Sequence, residues 1–225
     1  MEPPGAPVLR PYGRRAFLGV LVAGFAALLG GHPVQRLGEL FTPVEGAFGF
    51  GGWRIYTIAS TMPRFDPTTW RLRIDGLVEK PQNLTYADLV ALPQAAEVKD
   101  FHCVTGWSVP HVHWGGVRIR HLLALARPLP QARALRFVSA ESPYEDSLTL
   151  DQALLHDVML AHRLDRKPLS RPHGAPLRLV IPEMYGYKGV KWLERIELTA
   201  EPVNGYWEQR GYDRDAWVGR SNGRG

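Results

Sequence analysis

The sequence predicts an α+β fold, mixed and rich in strands, with short helices that are scattered along the chain. Nineteen prolines and 23 glycines are spread over the 225 residues, which favours short elements joined by many turns. Segments in which apolar and polar residues alternate outnumber segments with helical spacing. The chain shows no internal repeat and no series of βαβ units, which argues against a doubly wound sheet.

The strands are predicted from this alternation and from short apolar runs between turns. Residues 70–75 alternate in the first of them, and Gly76 marks a bend at its end. The remaining predicted strands span residues 134–140, 158–164, 177–181 and 192–199. A strand-like segment is also expected at residues 55–60.

Two short helices are predicted, at residues 85–92 and 117–126. Thr85 is the expected N-cap of the first, with Asp88 three residues later, and Pro128 follows the end of the second. Asp151 is expected to cap a further helical turn, and residues 165–167 to turn the chain after the strand at 158–164.

The charge pattern gives no sign of a nucleic-acid interface. The formal net charge is +5 and the isoelectric point is near 9.5. Lys and Arg are nevertheless scattered singly among Asp and Glu, and no basic stripe is present. No nucleic-acid partner is therefore predicted.

The N-terminus has the pattern of an export signal. Arg14 and Arg15 precede Ala16, Phe17 and Leu18 and resemble the twin-arginine signal of bacteria. The apolar run that follows ends at Leu29 and is shorter than the roughly 20 residues of a membrane span. We therefore expect a signal segment (1–31), a linker (32–52), a folded domain (53–219) and a tail (220–225). The predicted location is periplasmic or exported, with the signal either cleaved or kept as a membrane anchor.

Cys103 is the single cysteine, so an internal disulfide is impossible. Its surroundings leave four interpretations open. It could be a packed apolar side chain, or a nucleophile with His111, His113 or His173 as base. It could join His111 and His113 in a zinc or copper site. It could also be a thiolate ligand to a metal whose cofactor supplies most of the other ligands.

The last interpretation is favoured by a resemblance. Residues 103–108 (Cys-Val-Thr-Gly-Trp-Ser), then Trp114-x-Gly116-Val117 and a Leu-rich helix, resemble the molybdenum-cysteine segment of the oxidoreductase molybdopterin-binding domain. Sulfite oxidases and the periplasmic methionine-sulfoxide reductase catalytic subunit share that domain. The resemblance implies a sulfite-oxidase-type fold in which Cys103 binds molybdenum beside the two dithiolene sulfurs of a single pterin.

A second segment strengthens the resemblance. Residues 173–182 begin His-Gly-Ala-Pro-Leu-Arg, and residues 185–193 contain Gly-Val-Lys-Trp; the family uses such segments to hold the pterin and its phosphate. The chemistry is suitable, because arginine offers a planar fork of donors, lysines supply point charges and glycine allows close backbone approach. The implied cofactor-binding residues are Ser139, His173, Arg178, Lys188, Gly189, Val190 and Lys191.

Two departures bear on the substrate. Sulfite oxidases carry basic residues after the metal cysteine and Arg and His in the upstream strand, whereas Val104 to Trp107 and residues 55–60 contain none. The methionine-sulfoxide reductase branch has Glu where this chain has Thr105. Sulfite is therefore not the expected substrate, and the chain resembles the small exported methionine-sulfoxide-reductase-like branch more closely.

The sequence thus predicts an exported molybdenum–molybdopterin oxidoreductase that performs two-electron oxygen-atom transfer, as a sulfoxide-type reductase or a related oxidase. Its substrate would be a small-molecule or protein-bound oxo compound. The chain has no Cys-x-x-Cys-His haem motif, which implies a separate electron-transfer partner, with a membrane cytochrome b as one candidate. The alternatives are a non-catalytic binding module on the same scaffold and a Cys/His thiol hydrolase.

Overall fold

The computed structural model describes residues 52–221. The predicted signal segment (1–31) and the predicted linker up to residue 51 lie outside the described residues, as do residues 222–225. Within the described part, no helix is long and apolar enough to cross a membrane.

Short strands and short helices alternate along the described residues. The strands are β1 (Leu72–Gly76), β2 (Gln82–Leu84), β3 (Gln94–His102), β4 (Ser108–Arg118), β5 (Ala134–Ser139), β6 (Glu145–Thr149), β7 (Met159–Leu164), β8 (Lys167–Pro168), β9 (Arg178–Val180) and β10 (Leu193–Thr199). The helices are α1 (Tyr86–Ala91), α2 (Ile119–Ala126) and α3 (Leu150–Ala153), with 3₁₀ turns at Arg171–His173, Gly186–Lys188 and Glu208–Arg210. The predicted strand-rich α+β fold with short helices is confirmed.

The strands form two five-stranded sheets. In the first, the order is β2-β1-β10-β5-β6; β1 and β10 are parallel and the other neighbours antiparallel. In the second, β3-β4-β7-β8 are antiparallel neighbours and β9 also pairs with β7. The large apolar cluster of the core takes side chains from both sheets and from α2, including Leu72, Phe137, Leu160 and Leu122.

The local signals explain several of these boundaries. Thr85 caps α1 and forms a capping box with Asp88, as predicted. Gly76 ends β1 at φ 82°, where an added Cβ would lie 2.3 Å from the carbonyl oxygen of Leu198 in the neighbouring strand. The turn between β7 and β8 uses Asp165 and Arg166 at positive φ, in agreement with the prediction.

Two local predictions were wrong. The helical turn α3 is capped by Thr149, which forms a capping box with Gln152, and Asp151 lies inside the first turn instead. The segment at residues 55–60 is not a strand. The N–H groups of Ile58 and Ala59, which a neighbouring strand would use, donate to the carboxylate of Glu141 instead.

The two longest strands, β3 and β4, form a hairpin with Cys103 in its connection. The register shifts between Lys99 and Phe101, and His111 on the opposite strand takes φ 54° with its N–H bound to Asp100 Oδ1 at 2.8 Å. This bulge shifts the burial alternation of β4 by one residue, since Val109 and Val112 are both buried although they are three positions apart.

Candidate active site

Cys103 occupies the tight connection between β3 and β4. Its N–H donates to the carbonyl of Trp107 at 2.9 Å, and the Gly106 N–H donates back to the Cys103 carbonyl at 3.0 Å. Gly106 takes φ 88°, a conformation that glycine adopts without strain. The thiol is partly exposed, and its hydrogen-bond partner is Thr105 Oγ1 at 3.2 Å. The turn therefore presents a sulfur atom at the end of a rigid hairpin.

An aromatic cluster lies beside this turn and joins it to the second predicted segment. The Trp53 ring lies 4.7 Å from Phe101, 6.3 Å from Trp107 and 5.1 Å from His173, measured between ring centroids. Gly186 is required here, because an added Cβ would lie 2.2 Å from the Phe101 ring. The structure thus brings the cysteine hairpin together with residues 173–191, as the resemblance implies.

Arg178 is the most unusual charge in this region. Its side chain is 4% exposed, and its Nη1 donates to the carbonyl of His173 at 3.3 Å. Within residues 52–221 no carboxylate pairs with it, and its Nε has no hydrogen-bond partner. The guanidinium lies over the rings of Trp114 and Phe101, at 5.1 Å and 5.7 Å from their centroids. Burial lowers the pKa of Arg178 to about 10, so the group is still protonated at neutral pH.

His173 and Lys191 are the two titratable side chains that the charge of Arg178 affects most directly. Burial, with Arg178 and Lys191 nearby, lowers the pKa of His173 to about 4, so its imidazole is neutral at pH 7. Its Nδ1 lies 2.8 Å from Ser170 Oγ. Burial and Arg178 together lower the pKa of Lys191 to about 7, although Glu141 opposes this lowering. The basic side chains of Arg178 and Lys191 therefore lie in one buried region. Of the groups that shift the Lys191 pKa, Glu141 is the carboxylate.

The remaining predicted residues around Lys191 make contacts mainly through their backbones. Ser139 Oγ donates to the Lys191 carbonyl at 2.7 Å, and Val190 is fully buried with its carbonyl bound to the Leu179 N–H at 2.8 Å. A Cβ at Gly189 would lie 3.3 Å from Arg178 Nη2, which shows how closely that backbone passes the guanidinium.

Lys188 occupies a different environment from the other predicted residues. Its side chain is 1% exposed, and Nζ bonds to Asp146 at 2.5 Å and Glu208 at 2.8 Å. Burial raises the pKa of Asp146 to about 8, although Lys188 opposes this effect. The hydrogen-bond and ion-pair partners of the Lys188 ammonium are these two carboxylates, and its role as a phosphate contact stays a prediction.

Trp192, directly after Lys191, holds a strained backbone conformation. Its φ is 48°, a region that bulky residues rarely occupy, and its Nε1 donates to the Arg171 carbonyl at 2.9 Å. The Lys191 Nζ lies 4.0 Å from the Trp192 ring centroid. The indole therefore fixes the end of the 189–191 segment against the Arg171–His173 turn.

Sequence reasoning missed Glu141, Thr57 and the indole nitrogen of Trp107. Glu141 is a buried carboxylate two residues beyond Ser139, and it binds the segment that contains Thr57. The sequence feature that could have indicated Glu141 is a single acidic residue directly after the apolar segment at residues 134–140. Trp107 Nε1 is buried and has no hydrogen-bond partner among the described residues.

A small cavity lies between the two segments. Its volume of about 20 Å³ has room for a single water molecule. It is lined by Asp100, Phe101, His102, Trp114, Arg178, Leu179, Val180, Ile181, Pro182, Met184, Tyr185, Gly186 and Gly189.

The competing interpretations of Cys103 receive no geometric support. His102 directs Nδ1 to Ser108 Oγ at 2.8 Å, and the sulfur contacts Thr105 Oγ1, so within residues 52–221 no hydrogen bond joins Cys103 Sγ to a histidine. In the part of the chain that the structure describes, no group of three or more His, Cys, Asp and Glu side chains could hold a metal ion. The zinc or copper site of Cys103, His111 and His113 is therefore not formed among the described residues.

The donor set fits an anionic group rich in acceptor atoms. Arg178 Nε and Trp107 Nε1 are buried donors without partners among residues 52–221, and a buried guanidinium without a counter-ion is strongly disfavoured unless an anion binds to it. A phosphate dianion attached to a flat, acceptor-bearing heterocycle meets both requirements. The fold and the site thus define a thiol-bearing domain built to hold an anionic organic cofactor.

Comparison with known proteins agrees with this class. The family model described as "Oxidoreductase molybdopterin binding domain" matches residues 59–207, and the chain belongs to that family. It is therefore an enzyme of the molybdopterin-dependent oxidoreductase type.

Three proteins illustrate the relationship. The chain is 38% identical over 154 residues to the uncharacterized oxidoreductase YuiH of Bacillus subtilis, covering 68% of this chain and 77% of that protein. It is 31% identical over 165 residues to the protein-methionine-sulfoxide reductase catalytic subunit MsrP of Campylobacter jejuni, covering 66% of this chain and 55% of MsrP. The sulfane dehydrogenase SoxCD of Paracoccus pantotrophus shares the fold, with a TM-score of 0.59 at 23% identity over 79% of this chain and 55% of that one.

Proposed function

We propose that this protein is an exported oxidoreductase that uses a single molybdopterin with Cys103 as a ligand to molybdenum, and that it performs two-electron oxygen-atom transfer. The observation that carries the proposal is the buried Arg178 guanidinium, which has no carboxylate partner among the described residues. When bound, the cofactor supplies the two-electron redox chemistry, and the chain binds and orients it.

Each predicted site residue of this chain would make a different contact with the cofactor. Arg178 and Lys191 would neutralise the phosphate, and His173 and Ser139 would contact the pterin. The backbone of Gly189 and Val190 would approach it closely, since the Gly189 Cα has no side chain to obstruct it. The hairpin turn at Cys103 would hold the sulfur in a fixed position. Thr105 Oγ1 would orient that sulfur through its contact at 3.2 Å.

The substrate class we propose is a neutral oxo compound, reduced in the direction of a sulfoxide. Two electrons and two protons would convert a sulfoxide to a thioether and one water molecule. Residues 104–107 carry no basic side chain, which disfavours an anionic substrate beside Cys103. The relatives named as methionine-sulfoxide reductases support this direction, and their designation as catalytic subunits supports a separate electron-transfer partner. The twin-arginine pattern at Arg14 and Arg15 supports export of the folded enzyme.

The proposal is tested with full-length protein purified from a host that makes the molybdenum cofactor. We expect about one molybdenum atom per chain, its loss in Cys103→Ser, and oxidation of reduced viologen by sulfoxides in the wild type. Folded wild-type protein without molybdenum and pterin would contradict the proposal. Activity with sulfite as the electron donor would show that the enzyme works as an oxidase and not as a sulfoxide reductase.

The thiol-hydrolase alternative is separated by alkylation. Because Cys103 is the single cysteine, iodoacetamide modification reports on this sulfur alone. A metal-bound thiolate should be protected in the loaded protein and reactive once the cofactor is removed. Equal and rapid alkylation in both forms would favour a free nucleophile.

A further inference from the structure

The side chain of Glu141 binds the segment that precedes the first sheet. It is 4% exposed, and its Oε1 accepts hydrogen bonds from the Ile58 N–H at 2.9 Å and the Ala59 N–H at 3.2 Å. The Thr57 hydroxyl donates to the same oxygen. A single buried carboxylate oxygen thus receives donors from three consecutive residues. These residues belong to no strand or helix, so the carboxylate provides the hydrogen bonds that a neighbouring strand would otherwise supply.

The same glutamate belongs to a hydrogen-bond network that leads through Ser139 and Lys191 back to the 56–59 segment. Its own N–H donates to Ser139 Oγ at 2.9 Å, and Ser139 Oγ donates to the carbonyl of Lys191 at 2.7 Å. Lys191 Nζ then reaches the carbonyl of Tyr56 at 2.5 Å, one residue before Thr57. This hydrogen-bond network therefore connects the end of β5, the 56–59 segment and the 189–191 segment.

Charge adds a second link between Glu141 and Lys191. The Glu141 carboxylate opposes the lowering of the Lys191 pKa that burial and Arg178 cause. In return, Lys191 and the N–H groups of residues 58 and 59 oppose the rise that burial causes in the pKa of Glu141. Without the carboxylate, Arg178 would be the remaining charge among the described residues that acts on the ammonium, and Lys191 would more readily lose its proton.

We propose that Glu141 is a positioning residue of the cofactor site, which clamps residues 56–59 against Lys191 and keeps the Lys191 side chain charged for the cofactor phosphate. The clamp follows from the contacts alone. The role toward the phosphate rests on the proposed function. Glu141 acts through other residues, and no direct contact with the cofactor or the substrate is assigned to it.

Two substitutions separate the clamp from the charge. Glu141→Ala removes the acceptor and the charge together, whereas Glu141→Gln keeps a side-chain oxygen that can accept from Ile58 and Ala59. Glu97→Gln is the matched control, because the Glu97 carboxylate is also largely shielded from water, at 9% side-chain exposure, but is paired with Arg118 on the second sheet.

The first measurement is hydrogen exchange of the peptide that contains residues 58 and 59, followed by mass spectrometry on full-length cofactor-free protein. We expect exchange about tenfold faster or more in Glu141→Ala, because local opening no longer breaks two hydrogen bonds to a charged acceptor. Glu141→Gln should stay within about threefold of the wild type, and Glu97→Gln should match it. Unchanged exchange in Glu141→Ala would overturn the clamp.

The second measurement is molybdenum and pterin content per chain after purification from a cofactor-competent host. We expect both Glu141 variants to fall to about a third of the wild-type content or less at pH 7, where the Lys191 pKa of about 7 leaves the wild-type ammonium partly charged, with Glu97→Gln unchanged. A full cofactor content in Glu141→Gln would overturn the charge role and leave the clamp. If the wild type itself carried no cofactor, the proposed function would fail, and the exchange result would still decide whether Glu141 is a clamp.

Discussion

The guanidinium carbon of Arg178 lies 5.1 Å from the ring centroid of Trp114, and no carboxylate within residues 52–221 neutralises it. The indole face gives part of the attraction that a counter-ion would give, since a cation over an aromatic ring gains about 0.5–2 kcal/mol. That is less than the several kcal/mol that removal of a charge from water costs. The cofactor-free protein therefore carries a destabilising group at the position where an anion is proposed to bind.

Replacement of Arg178 by methionine should separate stability from binding. A buried charge replaced by an apolar side chain of similar length is often neutral or stabilising, by about 1–4 kcal/mol in favourable cases. We expect the free energy of unfolding of cofactor-free Arg178→Met, measured with urea, to equal or exceed that of the wild type. Its molybdenum content should fall below about a tenth, because the phosphate loses its bidentate partner. A clear loss of stability in the cofactor-free variant would show that Arg178 supports the fold and that the missing counter-ion is not the anion.

His173 should make the stability of the cofactor-free protein depend on pH. Its pKa in the fold is about 4, against an ordinary value of 6.5. The folded state excludes a proton that the unfolded state accepts, so stability is complete above pH 6.5 and is lost as the pH falls toward 4. At about 1.4 kcal/mol per pKa unit, the loss amounts to about 3 kcal/mol.

The test compares three proteins by urea unfolding between pH 7 and pH 4. His173→Gln should show a shallower decline than the wild type, since it has no imidazole to protonate. His111→Asn is the matched control, because it removes an exposed imidazole outside the buried region around Arg178, at a positive φ where asparagine is tolerated. Identical slopes in His173→Gln and the wild type would count against a buried neutral imidazole.

Much of the fold could be predicted from local patterns in the sequence, and the failures have a common cause. The capping box at Thr85 and the turn at Asp165 depend on neighbouring residues, and both are confirmed. Residues 55–60 have a strand-like pattern, but their N–H groups bond to a glutamate more than 80 positions away, which alternation along the chain cannot show. His111 similarly leaves the strand pattern because Asp100, on the opposite strand, takes its N–H.

The surroundings of a charged residue are harder to predict from the sequence than its identity, as Arg178 and Lys188 show. Arg178 lies over the rings of Phe101 and Trp114, with no competing carboxylate among the described residues. Lys188 belongs to the same sequence run, but Asp146 and Glu208 lie close enough to bind its ammonium. A lysine in a glycine-rich run fits both roles, and the deciding carboxylates come from distant parts of the chain.

Lys188 should therefore act on stability. Lys188→Met would leave Asp146 and Glu208 buried without their cation, and loss of one partner of a buried pair costs about 3–5 kcal/mol. We expect a decrease of that size in the free energy of unfolding, and recovery of most of it in Lys188→Met combined with Asp146→Asn and Glu208→Gln. The folded fraction of the triple variant should keep molybdenum. Loss of the metal with restored stability would return Lys188 to the role of a phosphate contact.

The close passage of the Gly189 backbone beside Arg178 gives a last prediction. A Cβ at this position would lie 3.0 Å from the Leu179 carbonyl oxygen, 3.2 Å from that of Gly186 and 3.3 Å from Arg178 Nη2. Two of these neighbours are backbone atoms that cannot turn aside, so Gly189→Ala must displace the segment by a few tenths of an ångström. We expect a cost of about 1 kcal/mol in unfolding free energy and at least a threefold loss of molybdenum per folded chain.

Gly115→Ala is the matched control for Gly189→Ala. Its added Cβ would lie 3.3 Å from the Cβ of Arg163 and 3.7 Å from its Cδ, so it introduces similar crowding at a different place in the fold. The control should keep the wild-type molybdenum content because Gly115 lies in β4 and does not line the cavity beside Arg178. If Gly189→Ala also kept its full cofactor content at unchanged stability, the backbone of residues 189–191 would not closely approach the cofactor.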